Sequence, residues 1–433
     1  MIRINLEITA HSPLAIGRQK PGGSISEVET YIPGSVIRGA IAGLMIREAR
    51  KTGTDFANDP DSDFKTLFID GGGIFQNAYP AIADLGDRLQ VNSDVRVLPA
   101  TALSAKGKPG FKPKGNGVFD STIDRFYADL FGQVYDPNCP KDGGRVDPYK
   151  VFYSRSDDRY LVHSTSTRLL TRAGINRRRA TAEDQLLYSI QVLDEVKCKN
   201  GKDVSMAFCG SILVVESIAE DFYDYLKRNA QNLRLGGSTS RGLGKVSLKL
   251  PEKESLKLQP TNLSPEKEEP KDPSSDLRER LGAFNTAFQN RWRLWRMFDR
   301  SVLDPTIDRT YFTIGLQSEA ILTERWQRSI VISPAILQTA AGNLSGEVKL
   351  EAAYSSYDYR SGWNNAWGLM KDTELVTDRG SVYLFSVESA HQEEWIAALT
   401  NLENRGIGDR TMEGFGQVRV CDEFHRVFRE EAV

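Results

Sequence analysis

The chain of 433 residues predicts an α+β protein built as two tandem ferredoxin-like (RRM-like, βαββαβ) domains with insertions. Its length exceeds what one ordinary hydrophobic core organises, so two domains are the natural division. A glycine-rich element occurs twice, as "LGGSTSRGLGKV" at 235–246 and "IGDRTMEGFGQV" at 407–418. Adding 172 lays Leu235 on Ile407, Gly236 on Gly408, Thr239 on Thr411, Gly242 on Gly414, Gly244 on Gly416 and Val246 on Val418. Each copy follows a helical pattern and runs into a strand, which reads as a tandem duplication whose second copy is more degenerate.

Residues 3–10, "RINLEITA", place Ile4, Leu6 and Ile8 on one face of a strand, and "SPLAIG" turns the chain. In "YIPGSVIRGAIAGLMIREARK" Pro33 and Gly34 punctuate and Ser35 is placed to cap a helix. Val36, Ile37, Ala40, Ile41, Leu44 and Met45 then recur at helical spacing. Residues 99–150 are rich in Gly, Pro, Lys and Asp, with one short helical candidate, "DSTIDRFYADLF", and read as an insertion in the first domain. "QLLYSIQVL" (185–193) and "GSILVVESI" (210–218) alternate as strands, "EDFYDYLKRNAQNL" is an amphipathic helix, and "GKVSLKL" is the strand after the glycine loop. The first domain is thus expected over 1–250.

Residues 251–275 combine proline with dense charge and few apolar side chains, the composition of a linker. The second domain, 276–433, opens with the helix "DLRERLGAFNTAFQNRWRLWRMF". Trp292, Trp295 and Phe298 fall on one side of it, the pattern of a core face, while Arg291, Arg293, Arg296 and Arg300 are placed for solvent or a polyanion. "RTYFTIGLQS" answers "RINLEITAHS"; "GSVYLFSVE" is a strand, "QEEWIAALTNLENR" a helix and "GQVRVCD" the closing strand.

The composition, 40% hydrophobic and 26% charged, is that of a globular protein. No run approaches the ~18 apolar residues of a membrane span, and the N-terminus lacks a signal-peptide core, so a cytoplasmic location is expected. Cys139, Cys198, Cys209 and Cys421 show no paired ligand spacing, and His11, His163, His391 and His425 are equally scattered, so no metal or cofactor is expected. The net charge of -2 hides an asymmetry: 34 Lys+Arg against 29 Asp+Glu before residue 250, 22 against 29 after it. The span Arg159–Ala182 holds Arg159, Arg168, Arg172, Arg177, Arg178 and Arg179 with no acid. Such a stripe either tracks phosphates or is a solvated face.

A glycine loop lets backbone N–H groups converge on a phosphate without obstruction from Cβ, and equally lets a helix and a sheet pack closely. A P-loop runs from strand into helix and carries GxxxxGK[ST]; these loops run from helix into strand and lack the Lys-Ser/Thr, which disfavours nucleotide hydrolysis. A dinucleotide-binding fingerprint fails for the same reason. Beside the first loop Arg234, Ser238, Thr239, Ser240, Arg241 and Lys245 suit a sugar-phosphate backbone, so RNA contact is favoured there. In the second, Asp409, Arg410 and Glu413 shift the balance, and contact and pure packing both stand.

"SPLAIG", "YIPGSVIRGAIAGL", "TRAGINRRRATAEDQLLYSIQVL" and "GGSTSRGLGKV" together resemble the RAMP (repeat-associated mysterious protein) superfamily of CRISPR effector subunits. In the second half "SGWNNAWGLMKDTELVTDRGSVYLFSVE" followed by "GIGDRTMEGFGQV" looks like the C-terminal unit of two-domain subunits of type III complexes, most like the subtype III-D member. The resemblance implies a non-catalytic subunit that holds the 5′ repeat-derived tag of crRNA. Its implied neighbours are the large signalling subunit and the backbone RAMP subunits, and it meets target RNA only indirectly. It places on the RNA Ser35, Arg38, Arg172, Arg177, Arg178, Arg179, Gly236, Gly237, Ser238, Thr239, Ser240, Arg241, Gly242, Gly244 and Lys245. Arg168 of the acid-free span and Gly408, Arg410, Gly414 and Gly416 of the second copy, where Asp409 and Glu413 depart from the family pattern, complete the candidate RNA-binding set. Target-cleaving relatives carry an Asp in the loop before "IPGS"; here "GRQKPGGSISEVET" offers Glu27 and Glu29 instead, against target cleavage. Guide-processing relatives use a histidine near the first helix, and His11 is the residue in that position for a metal-independent endoribonuclease. A purely structural scaffold is the remaining alternative.

Overall fold

The computed structural model describes residues 1–18, 27–53, 62–84, 89–156, 159–176, 178–179, 181–199, 202–253, 273–364 and 368–433. It is a mixed α/β protein with many antiparallel sheets. Two compact units divide it, and neither is one continuous piece of chain. Unit 1 takes 1–93, 163–257 and 359–374; unit 2 takes 94–162, 258–358 and 375–433.

In unit 1, β1 (Ile2–Ala10) alternates so that Ile4, Leu6, Ile8 and Ala10 are buried. It leads to α1 (Gly34–Thr52) and the short β2 (Gly73–Phe75). A long hairpin follows, β3 (Thr167–Asn176) and β4 (Thr181–Leu193), and then β5 (Ala207–Val214), α2 (Glu216–Arg228) and β6 (Val246–Lys249). The core sheet runs β6-β1-β5-β2, antiparallel throughout, with Ile8 opposite both Phe208 and Leu248. Helix α1 buries Ile37, Ile41, Leu44 and Met45, and α2 buries Ile218, Phe222 and Leu226. Each such side chain contributes roughly 1.5–3 kcal/mol by leaving water.

Three expectations change here. The strand at 185–193 is the inner part of β4 in a hairpin of its own, not a member of the core sheet, whose second strand is β2. Alternation marks a strand but does not say which strand it pairs with. Helix α2 starts at Glu216, so the apolar run of 210–218 ends its strand at Val214. The N-cap of α1 is Pro33 rather than Ser35: the side chain of Asn77 accepts from the Gly34 N–H at 2.8 Å, doing from a distance what a capping serine does locally.

Unit 2 begins its C-terminal stretch with α3 (Pro273–Trp295), then β7 (Arg309–Leu316) and the small hairpin β8 (Leu322–Glu324) and β9 (Gln327–Ser329). There follow α4 (Pro334–Ala340), β10 (Val348–Tyr354), β11 (Val382–Glu388), α5 (Gln392–Arg405) and β12 (Val418–Val420). Its sheet runs β12-β7-β11-β10. In unit 1 a fifth, two-residue strand, Tyr79–Pro80, also pairs with β5 off this path; leaving it aside, the order along the sheet in both units is fourth, first, third, second of four strands.

Phe284, Phe288 and Trp292 of α3 lie in one buried cluster with Phe312, Phe385 and Trp395. Trp292 is thus core, while Phe298 is 57% exposed. Ile123, Phe126, Tyr127 and Phe131 join the same cluster, and Leu103, Phe111 and Phe119 pack with Phe424 and Val427. Apolar burial thus holds 99–150, read from its composition as an elaboration of the first half, within unit 2. Arg291, expected toward solvent or a polyanion, is paired with the buried Asp124 through two bonds and with Glu430. Most of 251–275, the expected linker, lies outside the described residues. No helix among the described residues is long and apolar enough to cross a membrane.

Candidate nucleic-acid interface

The first glycine loop is held by the turn that follows β1. The Gly237 N–H donates to the Ala15 carbonyl at 2.8 Å, the Gly244 N–H to Pro13 at 2.9 Å and the Lys245 N–H to Ser12 Oγ at 2.7 Å. Gly236 has φ +85°, and a Cβ there would lie 2.5 Å from the Ala15 oxygen; at Gly244, φ +80°, it would lie 2.4 Å from the Leu235 oxygen. The chain's own close approach is enough to demand these two glycines. Ser238 also adopts a left-handed conformation and opens a single 3-10 turn over Thr239–Arg241, closed at Gly242, beside which a Cβ would meet open space. Gly237, Thr239, Ser240, Arg241, Gly242 and Lys245 are exposed, and Ser238 is half-buried.

The β3–β4 hairpin adds the aromatic and the second cation. Antiparallel register sets Arg172 opposite Tyr188. The guanidinium of Arg172 reaches the Arg241 carbonyl at 3.4 Å, and Arg241 Nη1 donates to Tyr188 Oη at 2.7 Å with its guanidinium 5.8 Å from the ring centre. No carboxylate among the described residues pairs with Arg172, Arg234, Arg241 or Lys245. The result is an exposed surface of guanidinium, hydroxyl and one aromatic face, the donor set that sugar-phosphate and a splayed base require.

Other predicted residues are placed differently. Arg168 is neutralised by Asp194 at 2.7 Å and Glu195 at 2.8 Å, and the Glu195 hydrogen bond above all raises its pKa. The acid-free span 159–182 thus receives its acids from just beyond β4. Arg38 donates to the Phe68 carbonyl and lies 5.5 Å from the Phe68 ring centre, an internal tie within unit 1, and Ser35 is half-buried in the first turn of α1. Arg178 and Arg179 are exposed at the hairpin tip; Arg177 lies outside the described residues. His11 Nε2 is 2.8 Å from Ser247 Oγ at the edge of the same loop. Glu29 is buried and ion-paired with Arg360, whose other nitrogen donates to Tyr31 Oη at 2.9 Å. Glu29 thus serves packing.

The second glycine loop repeats the backbone of the first. The Asp409 N–H donates to Ile321 at 2.8 Å, Gly416 to Glu319 at 2.8 Å and Gln417 to Ser318 Oγ at 2.8 Å. A Cβ on Gly408 would lie 2.4 Å from the Ile321 oxygen, and one on Gly416 1.8 Å from that of Ile407. Its charges close on themselves: Arg410 pairs with Glu413 at 2.6 Å and sits 5.1 Å from the Phe415 ring centre, while Asp409 pairs with Arg328 at 2.6 Å. Gly414 is buried behind this turn. Tyr188 is the interface residue that sequence reasoning missed; the hairpin register opposite Arg172 is the signal that identifies it.

A protein-family model described as the RAMP superfamily matches residues 7–247, more than half of the chain. No curated protein matches. Among solved structures, a chain of the Type III-B Cmr-beta complex bound to cognate target RNA and AMPPnP, state 1, is similar at 12% identity and TM-score 0.36, covering 92% of this chain and 88% of that one. A chain of Type III-B Cmr-beta bound to cognate target RNA gives 11% identity and TM-score 0.35, covering 89% and 86%.

Proposed function

We propose, from the premise that this chain belongs to the RAMP superfamily, that it is a non-catalytic RNA-binding subunit of a type III CRISPR effector complex. On this reading it holds the 5′ repeat-derived tag of crRNA and anchors assembly with the large signalling subunit. Each unit is read as one ferredoxin-like βαββαβ fold, supported by the shared fourth-first-third-second strand order. The observation that carries the RNA assignment is the constellation of the half-buried Arg172 with the exposed Arg241 and Tyr188 beside the first glycine loop. Lys245 and Arg234 extend its positive charge along the loop, and Thr239 and Ser240 add hydroxyl donors.

The test is fluorescence anisotropy of a guide RNA carrying its tag, titrated with the full-length protein over a range of salt. Log affinity is expected to fall linearly with log salt. The Arg172→Ala/Arg241→Ala variant should bind at least about tenfold more weakly, with a slope shallower by about two. The same RNA lacking its tag should compete poorly. Unchanged affinity in the double variant would overturn the assignment, and repeat-RNA cleavage that disappears in His11→Ala would replace it with an endoribonuclease.

A further inference from the structure

Unit 2 carries a feature that the assignment above leaves unused. The hairpin β8–β9 turns through only two residues, Arg325 and Trp326, with φ of +49° and +68°. Such turns favour Asn-Gly because both central residues must be left-handed, which a bulky side chain adopts only with strain. Trp326 is nevertheless there, and it is 98% exposed. A tryptophan held out in water on a strained turn gains nothing for the fold; its return lies in what it meets.

The surroundings indicate which class of ligand that is. Arg325 lines a groove of about 580 Å³ that also includes Ile336 and Thr339 of α4, Arg405 at the end of α5, and Gly408 and Thr411 of the second glycine loop. Arg325 and Arg405 are both exposed, and neither has a carboxylate partner among the described residues. Two acids share the groove: Asp409 is already taken by Arg328, and the half-buried Glu324 precedes Arg325 at the end of β8. Trp326 follows Arg325 in the turn. An exposed indole next to a guanidinium with no carboxylate partner among the described residues, with a second such guanidinium, Arg405, in the groove, is a combination that binds single-stranded nucleic acid, the ring for a base and the cations for its phosphates.

We propose that Trp326 is a stacking post for one base of single-stranded RNA, with Arg325 and Arg405 on the adjoining phosphates. The proposal rests on the RNA-binding reading of unit 1 and gives unit 2 its own contact. It uses neither the Arg410–Glu413 pair nor a convergence of N–H groups in the second glycine loop.

The experiment titrates full-length protein with a ten-nucleotide single-stranded oligoadenylate and follows both anisotropy and tryptophan emission. Wild type should show quenching that Trp326→Phe abolishes while keeping affinity within about threefold. Trp326→Ala should lose about five- to a hundredfold in affinity with an unchanged salt slope, because a stacked base releases no counterions. Trp326→Gly should lose the same affinity while its Tm rises, since glycine relieves the left-handed strain. Wild-type affinity in Trp326→Ala would overturn the proposal and leave the turn to a protein partner. The unit 1 assignment would survive that result if Arg172→Ala/Arg241→Ala still weakened binding and flattened the slope. Absence of any RNA binding by the wild type would remove both.

Discussion

The two glycine loops put matching residues through matching bonds. Gly236 and Gly408 have φ of +85° and +86°, Ser238 and Arg410 +55° and +56°, and Gly242 and Gly414 +86° and +94°. Leu235 and Ile407 accept the same role, their N–H groups donating to Gly244 and Gly416 at 2.9 and 2.8 Å. Even the serine that receives the next N–H is shared, as Ser12 in one and Ser318 in the other. The loops differ in what their side chains do. In the first, Arg241 reaches out to Tyr188; in the second, Arg410 folds back onto Glu413. The glycines therefore report how the chain packs, and any ligand preference is written in the residues between them.

The sharpest way to break that comparison is to give the glycines a Cβ. Gly416→Ala and Gly244→Ala should each destabilise their unit by about 3 kcal/mol, since both combine positive φ with a clash against a backbone carbonyl. Gly242→Ala, with positive φ but open space, should cost about 1 kcal/mol. Urea unfolding midpoints read the series. If Gly244→Ala folded with wild-type stability and lost only RNA binding, the glycine would belong to the ligand and the two loops would not be equivalent.

How much of this was legible depended on the range of the signal. Helix α5 matches "QEEWIAALTNLENR" residue for residue, because Trp395, Ile396, Leu399 and Leu402 recur at helical spacing and Gly406 stops the run. The duplicated loop was legible because positive-φ positions leave glycines in place. What failed needed partners distant in sequence. Asn77 caps a helix that begins at Gly34, Phe126 and Tyr127 pack with Phe288, and Asp194 and Glu195 quench Arg168 across a hairpin. At the candidate interface the cations were legible as types, but which of them remained unpaired was not.

A difference of intermediate size separates the units by pH. His163 of unit 1 is buried, and burial, reinforced by Lys197, lowers its pKa from 6.5 to about 4. The folded form then resists the proton that the unfolded chain takes up below about pH 6.5, so unit 1 should lose about 2 kcal/mol between pH 8 and pH 5. His425 of unit 2 is also buried, which by itself lowers its pKa, but the carboxylate of Asp120 at 3.4 Å outweighs this and raises it, while Asp120 is lowered in turn. Its stabilisation is fully present below about pH 6.5 and fades as pH rises through the raised folded value; that of Asp120 fades only as pH falls below about 4. Hydrogen exchange, corrected for intrinsic rates, should therefore show unit 1 loosening on acidification to pH 5 while residues 423–427 hold or tighten. His163→Leu should remove the first effect and leave the second.

The smallest expected effect tests the side-chain half of the comparison. Glu413 neutralises Arg410 over a half-buried turn, so Glu413→Gln should change stability by no more than about 0.5 kcal/mol, as for other partly exposed pairs. The second loop would then carry an uncountered guanidinium, as the first does at Arg241. Affinity for single-stranded RNA at low salt should rise by about two- to threefold, and the gain should vanish near physiological salt as screening shortens the reach of the new charge. Arg410→Ala in the wild-type background should leave affinity unchanged, because that charge is already spoken for. If Arg410→Ala weakened binding as strongly as Arg241→Ala does, the intramolecular pair must open on the RNA, and the second loop would be a latent copy of the first rather than a purely structural one.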